Sequence, residues 1–371
     1  MSNLSELLPA GGSAKEFEAV ASGTLPNGRA VVLKANGQVE VAGIATVAAD
    51  IPYGSETTLG ANRSVYLSTA AFDPNTTGKF VIAFVDRDNA TGGSNSRYGA
   101  AIVGQVSGSS ISFGNPVVIN AENSYFTTVA FDPNNANKIL LAFRGTSDNY
   151  GKVRVGTISG TSISLGSIVT FNSSSVTNHI NIAFDPNTSN KLVISFDDTD
   201  NATSKAVVGT ISGTSISFGT KKPFEYAQIG IHGLAFDPNI ANKFVVAYKN
   251  GTTSGLVKIG TVSGTSITFG SASTFNSVST VDIQIAFDPN TANKFIVVYK
   301  NVGASSVGTA RVGTISNASI SYGTAVVYNS TEVDDPSISF DPNTANTFVV
   351  AYYRQSGLTG RANIGTISGT S

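Results

Sequence analysis

The chain has 371 residues, of which 23 are basic and 24 acidic, so charged side chains make up only 13%. A formal charge of −1, with no basic run longer than Lys221-Lys222, leaves no broad electrostatic footprint for nucleic acid. No cysteine is present, which excludes disulfides and thiolate metal sites, and neither a secretory leader nor an apolar run near the ~20 residues of a membrane span is found.

Residues 1–48 stand apart from the rest. Short strands are predicted at 17–21, 30–34 and 39–41, separated by Pro26-Asn27-Gly28 and Ala35-Asn36-Gly37. Asn-Gly is turn chemistry because both residues tolerate positive φ at little steric cost. Such a module is too small to hold a core alone. Leu4, Leu7 and Leu8 ahead of it either dock on a partner or belong to a frayed end.

From residue 49 a repeat takes over. Ala-Phe-Asp-Pro-Asn occurs at 71–75, 130–134, 183–187, 235–239 and 286–290, and a sixth copy at 339–343 carries Ser339 for the alanine. The phenylalanines Phe72, Phe131, Phe184, Phe236, Phe287 and Phe340 are spaced by 59, 53, 52, 51 and 53 residues, a fixed period that signals a repeat architecture. The unit around Ala235 holds four strand-like segments. The first ends at 233–236. The turn Asp237-Pro238-Asn239 follows, with proline pre-setting φ and aspartate accepting a backbone hydrogen bond. The second, 243–248, has no polar face and is predicted to be buried on both sides. The third covers 256–262, Ser263-Gly264 turns the chain, and the fourth is 265–269. Short links make the strands meander antiparallel. Four strands at a period near 52 predict an all-β, six-bladed β-propeller spanning residues 49–371, with the N-terminal β module at 1–48.

The last repeat stops after its third strand. Its fourth-strand signature, Ile111-Ser112-Phe113-Gly114 in the first unit, has a copy ahead of the repeats, Ile51-Pro52-Tyr53-Gly54. Residues 51–59 are therefore predicted to supply the outer strand of the last blade, closing the ring and removing two exposed edges, and Pro52 suits an outermost strand.

The pairing of Ala-Phe-Asp-Pro-Asn with Gly-Thr-Ile-Ser-Gly-Thr-Ser-Ile-Ser-Phe-Gly over residues 50–371 resembles repeat proteins encoded by bacteriophages, especially marine ones. The run Ser22-Gly-Thr-Leu-Pro-Asn-Gly-Arg-Ala-Val-Val-Leu-Lys-Ala-Asn-Gly-Gln-Val39 is similar to the N-terminal part of other phage structural proteins. The resemblance implies a virion component, a fibre, tail or capsid-decorating protein assembled in the host cytoplasm. It would be oligomeric and held to other virion proteins through residues 1–48. No catalytic motif comes with it.

Motifs that carry chemistry are few. The six aspartates Asp73, Asp132, Asp185, Asp237, Asp288 and Asp341 are predicted to hold their own turns, since symmetry keeps them from converging on one ion. Gly-Thr-Ile-Ser-Gly lacks the helix start and lysine of a phosphate loop and reads as a hairpin. Asp86-Arg87-Asp88-Asn89 and Asp197-Asp198-Thr199-Asp200-Asn201 lack the glycine and terminal glutamate of a calcium loop and read as solvated loops. No cofactor or metal is expected. His179 and His232, the only histidines, lie five and four residues ahead of their phenylalanines, and Asp282 and Asp335 share the offset of His179. At the mouth of a propeller channel these four could bind a cation or a polar ligand. Neither a nucleophile elbow nor a zincin motif is present, and paired carboxylates for glycoside cleavage would have to come together through the fold.

The Asp-Pro-Asn and Ser-Gly-Thr-Ser turns hardly vary among repeats and lie at one end of the strands. The links at the other end vary, and carry Arg97, Tyr98, Tyr125, Arg144, Tyr150, His179, His232 and Arg354. Recognition is grafted on varied loops, and Tyr and Arg combine contact area with directed donors. The expectation is a non-enzymatic virion structural protein displaying the propeller, with host-surface glycans as a further partner, and without nucleic acid or membrane insertion. The alternative is a carbohydrate-binding, lectin-like propeller, and the third reading a propeller glycosidase.

Overall fold

The computed structural model describes residues 20–21, 31–33, 38–41, 58–59, 65–87, 97–251 and 253–369. Among these, apart from two single-turn 3₁₀ helices at Thr199–Asn201 and Val302–Ala304, all regular structure is strand, and no helix is long and apolar enough to cross a membrane. The N-terminal strands are found where expected, as β1 (Val20–Ala21), β2 (Val31–Leu33) and β3 (Gln38–Val41). β2 runs antiparallel to β3, and β1 pairs parallel to it. Leu4, Leu7 and Leu8, residues 51–57, Asp88 and Asn89 lie outside the described residues.

Each repeat forms one curled antiparallel unit. The third is representative: Thr177–Phe184 pairs with Lys191–Asp198, that strand with Thr203–Ser212, and the last with Ser215–Phe218 and then Lys222–Glu225. The outer strand is thus broken into two pieces at Gly219. The break has a packing cause, because a Cβ on Gly219 would lie 1.8 Å from the carbonyl oxygen of Thr265 in the next unit. In two places the second piece runs on into the next unit's first strand, giving the 15-residue strands Val117–Phe131 and Val326–Phe340.

The core lies between units rather than within them. Leu192, Ile194 and Phe196 cluster with Leu140, Ala142 and Val155 of the preceding unit, while Val193 clusters with Phe244 and Val246 of the following one. Successive side chains of a strand point to opposite faces, so a strand packed on both sides has no polar face. This is why the second strand reads as an unbroken apolar run.

The conserved-looking turns hold themselves and their neighbours. In all six, the aspartate accepts from the backbone N–H two residues on, at 2.8–2.9 Å. The second oxygen of Asp185 accepts from the Asn242 N–H and that of Asp237 from the Asn293 N–H, each 2.8 Å away in the next unit. Each aspartate holds its own turn, as expected, and Asp185 and Asp237 are in addition joints to the next unit. Replacing Asp185 with Ala should cost about 1–3 kcal/mol in chemical denaturation, since two backbone donors lose their acceptor. A change under roughly 0.5 kcal/mol, the level of an ordinary surface substitution, would count against the joint.

The last unit differs from the others. Its third strand, Thr359–Thr366, has no outer partner among the described residues. Val349 is 39% exposed, although its counterparts Val81, Leu140, Val193, Val245 and Ile296 are at most 1% exposed. At the other end of the array Phe72 is 63% exposed, against 6–8% for Phe131, Phe184, Phe236 and Phe287. Leu59 packs against Phe84, Ala100 and Ile102 of the first unit.

Candidate functional site

The first strands of successive units lie against one another, and those of the first, second, third and fifth units line a shared cavity. Five of them carry a register shift at one position, between Tyr66 and Thr69, Tyr125 and Thr128, Asn178 and Asn181, Val281 and Gln284, and Asp334 and Ser337. Phe126, His179, Asp282 and Asp335 sit in these bulges with φ of 46–53°. A bulge re-aims a side chain, and a non-glycine residue at positive φ is held there only by its surroundings. One backbone device thus recurs at the residue five before Phe131, Phe184, Phe287 and Phe340, and in the first two of these it sets Phe126 and His179 on the wall of the cavity.

In the fourth unit the device is missing. The first strand starts only at Gly233, where a Cβ would meet the backbone of Ile285 at 2.8 Å. His232, expected at the mouth with the other three, is instead fully buried. Its Nε2 lies 2.8 Å from Ser195 Oγ, and its Nδ1 2.9 Å from the Gly230 carbonyl oxygen. Burial pushes its pKa down, so it stays neutral.

The mouth holds a cavity of about 200 Å³ lined by Phe126, Thr128, His179, Asn181, Ile231 and Gln284 among others. That is below the roughly 300–1,000 Å³ of sites for drug-sized ligands, so it takes one end of a ligand. On one side stand Arg97, Tyr125, Phe126 and Arg144. Arg97 Nη1 donates to Tyr125 Oη at 2.7 Å, and Arg144 donates to Asn178 Oδ1. The Arg144 guanidinium lies 4.8 Å from the Tyr125 ring centroid and 5.2 Å from that of Phe126, while Arg97 is 5.7 Å from Tyr125. Phe126 meets the His179 ring at 5.0 Å. Burial lowers the Arg144 pKa, and its Nε is enclosed without a hydrogen-bond partner.

His179 Nδ1 is 3.0 Å from Oδ2 of Asp197. This carboxylate, 1% exposed, also accepts from Ser204 Oγ at 2.6 Å and from the Gly230 N–H at 3.0 Å. Burial alone would raise its pKa, but the hydrogen bonds from His179 and Ser204 outweigh that and hold it below the usual carboxylate range. The run Asp197–Asn201, expected as a solvated loop, is therefore corrected at its start. Asp197 and Asp198 are both buried, the second paired with Lys205, because they end a second strand whose faces are covered by neighbouring units.

Opposite in charge stands a group from the fifth and sixth units. Burial and repulsion from Asp335 and Asp334 raise the Asp282 pKa, with Lys300 opposing them. Lys300 itself bonds Asp334 at 2.6 Å and Glu332 at 2.9 Å. Among the described residues no three acidic or histidine side chains are grouped to hold a metal ion. Tyr98, Tyr150 and Arg354 are joined to neither group by a hydrogen bond, ion pair or ring contact. Phe126, Asn178, Asp197 and Lys300 were not singled out as site residues in the sequence. Offset was the available signal, since Arg144, Asp197, Lys249 and Lys300 all fall thirteen residues after their phenylalanine.

No protein-family model matches the sequence, and no curated protein does. Solved structures do share the fold. The NanB sialidase of Streptococcus pneumoniae, bound to a chlorobenzylammonio-ethanesulfonate, superposes with a TM-score of 0.56 at 9% identity, covering 85% of this chain and 70% of that one. AofleA of Arthrobotrys oligospora gives 0.54 at 11% identity over 84% and 90%. The α-L-arabinofuranosidase Arb93A of Fusarium graminearum, bound to an iminosugar inhibitor, gives 0.51 at 13% identity over 82% and 94%. The fold is that of a β-propeller. Two expectations are thereby corrected. A non-enzymatic structural part of a phage particle has no counterpart in these comparisons. Nor does the exclusion of enzymes stand, because glycoside hydrolases are built on this same fold.

Proposed function

We propose that the chain is a six-bladed β-propeller, closed by residues 51–59, that binds carbohydrate at the variable mouth of its axial cavity. Support for the blade count comes from the six repeats. Support for closure comes from what the last unit lacks. A groove of about 270 Å³, lined by Val312, Tyr328, Phe348, Val350, Ile364 and Ile367, runs along the open edge of Thr359–Thr366. In the other units the isoleucine and the large apolar residue two positions on, aromatic in all but the second, fill this space, in the register Ile315 to Ile320 and Gly313 to Tyr322. Closure in that register would set Ile51 opposite Ile367 and Tyr53 opposite Gly365. Gly151, Gly255 and Gly308 each lie under an aromatic ring of the following segment, Phe171, Phe275 and Tyr328, whereas Gly360 has open space above it. Leu59 is the counterpart of those rings, and it already packs on Phe84 as Phe171 does on Phe196.

The observation that carries the functional reading is the stacked group Arg97, Tyr125, Arg144, Phe126 and His179 on the rim of a small cavity. A sugar presents an apolar face of C–H groups and an edge of hydroxyls. Aromatic rings cover the first, and planar guanidinium and imidazole donors meet the second. The two carbohydrate-active enzymes built on the fold are consistent with this. A second reading, glycoside cleavage, is favoured by one observation: Asp282 is half-buried beside Asp335, and burial first, then repulsion from Asp335 and Asp334, keeps a proton on it to higher pH, as a general acid requires.

Binding of the full chain to a panel of immobilised glycans tests both. Saturable binding that is lost with Tyr125→Ala supports the site, and binding unaffected by that change moves recognition elsewhere. If a bound glycan is cleaved, and Asp282→Asn stops the cleavage but not the binding, the second reading takes precedence. No binding to any glycan would end the carbohydrate reading.

A further inference from the structure

We infer that the saccharide taken by this mouth is an acidic one, its carboxylate or sulfate held by Arg97 and Arg144. This rests on the carbohydrate reading and narrows it. The observation is a charge imbalance at short range. Among the described residues neither guanidinium has an acidic partner: Arg97 is bonded to a phenol oxygen and Arg144 to a side-chain amide oxygen. Acids are not scarce nearby in the fold. Asp197 is committed to His179, Ser204 and Gly230, and Asp334 and Glu332 to Lys300. Lys205 and Lys300 are thus balanced by carboxylates, and these two guanidiniums are not.

Arg144 is the sharper case. It is drawn out of water against two rings, and its Nε is enclosed without an acceptor. Partial burial of a cation with no counter-ion works against folding, and stacking on a ring offsets only part of that. An anion arriving from solvent would supply the missing charge, and the forked N–H geometry of guanidinium suits a planar carboxylate or a sulfate. The bulge positions of the fifth and sixth units carry acids instead, Asp282 and Asp335, so the cationic end of the mouth is confined to Arg97 and Arg144. The ring of the sugar then sits over Phe126 and the small cavity below it.

The test uses the full chain and pairs of saccharides that differ only in charge: trigalacturonic acid with its methyl ester, and 3′-sialyllactose with lactose, followed by calorimetry. At least one acid should bind about tenfold or more tighter than its neutral counterpart, the scale of one charge-assisted hydrogen bond, and should weaken as salt is added. Arg144→Gln and Arg97→Gln should each weaken that binding by a similar factor while leaving the melting temperature unchanged or higher. Lys222→Gln, a charge removed from an exposed outer strand, should alter nothing. Equal binding of acid and neutral forms would overturn the inference and leave carbohydrate binding standing. Binding of neutral glycans alone would do the same, and binding of no saccharide would remove both. A melting temperature that falls with Arg144→Gln while binding persists would make Arg144 a structural residue and overturn its assignment.

Discussion

A double variant, Ile51→Cys with Ile367→Cys, should form a disulfide within one chain on mild oxidation. Directly opposed residues of an antiparallel pair have Cα atoms about 4.5–5.5 Å apart, inside the range that a disulfide spans. The chain has no other cysteine, so a non-reducing gel and a mass shift read the result without competition. Deleting residues 1–59 should be strongly destabilising. It removes Ile51, Tyr53 and Leu59, each worth about 1.5–3 kcal/mol if fully buried, and leaves the apolar face of Val349 and Ile364 to water. A loss on the order of 5 kcal/mol is expected in denaturant titration. Deleting only residues 1–48 should leave the stability of the propeller nearly unchanged. No disulfide, or equal stability of the two deletions, would refute closure by this strand. A disulfide that appears only between chains would mean that the groove is filled by a second copy.

Asp197→Ala should be the most damaging single change near the mouth. It removes a buried carboxylate that pairs with His179 and accepts from Ser204 Oγ and the Gly230 N–H, and breaking such a buried pair costs about 3–5 kcal/mol. Acid should act in the same direction on the parent protein. The Asp197 pKa is held below its unfolded value, so its contribution is present above about pH 4 and fades as pH falls further. His232 is held neutral, so below about pH 6.5 the unfolded chain gains a proton that the folded one refuses, and stability falls there too. Stability measured against pH should therefore decline in two stages. Asp197→Ala should flatten the lower stage and His232→Asn the upper. A parent curve flat from pH 7 to 3 would contradict both assignments.

The units were legible in the sequence because their causes are local. Asp-Pro-Asn closes its own turn, and the unbroken apolar run from Lys243 to Tyr248 reports two covered faces. The site was legible only in part. The shared offset of His179, Asp282 and Asp335 marked a real geometric position, the bulge. His232 carried a similar signal and misled, since Gly233 crowds Ile285 and shortens that strand. Phe126 holds the bulge position in the second unit yet looked like one more core aromatic. Asp197 looked like loop because its partners, His179, Ser204 and Gly230, are brought to it only by the packing of one unit on the next. The functional class came out wrong for a different reason: repeat wording reports how a scaffold is assembled, and the same scaffold carries unrelated chemistries.

At three of its four positions the recurring bulge separates what the mouth presents from what keeps the protein folded, His179 being the exception because it also holds Asp197. At one backbone position in four of the units the chain re-aims a side chain, and the choices made there are as different as Phe126, His179, Asp282 and Asp335. None of these positions touches the turns that couple neighbouring units. The mouth is in effect a short combinatorial code written on a fixed carrier. Substituting Phe126, Asp282 and Asp335, singly or together and with His179 kept in place, should re-specify the ligand faster than it erodes the fold, which makes this chain a natural starting point for selecting new binders.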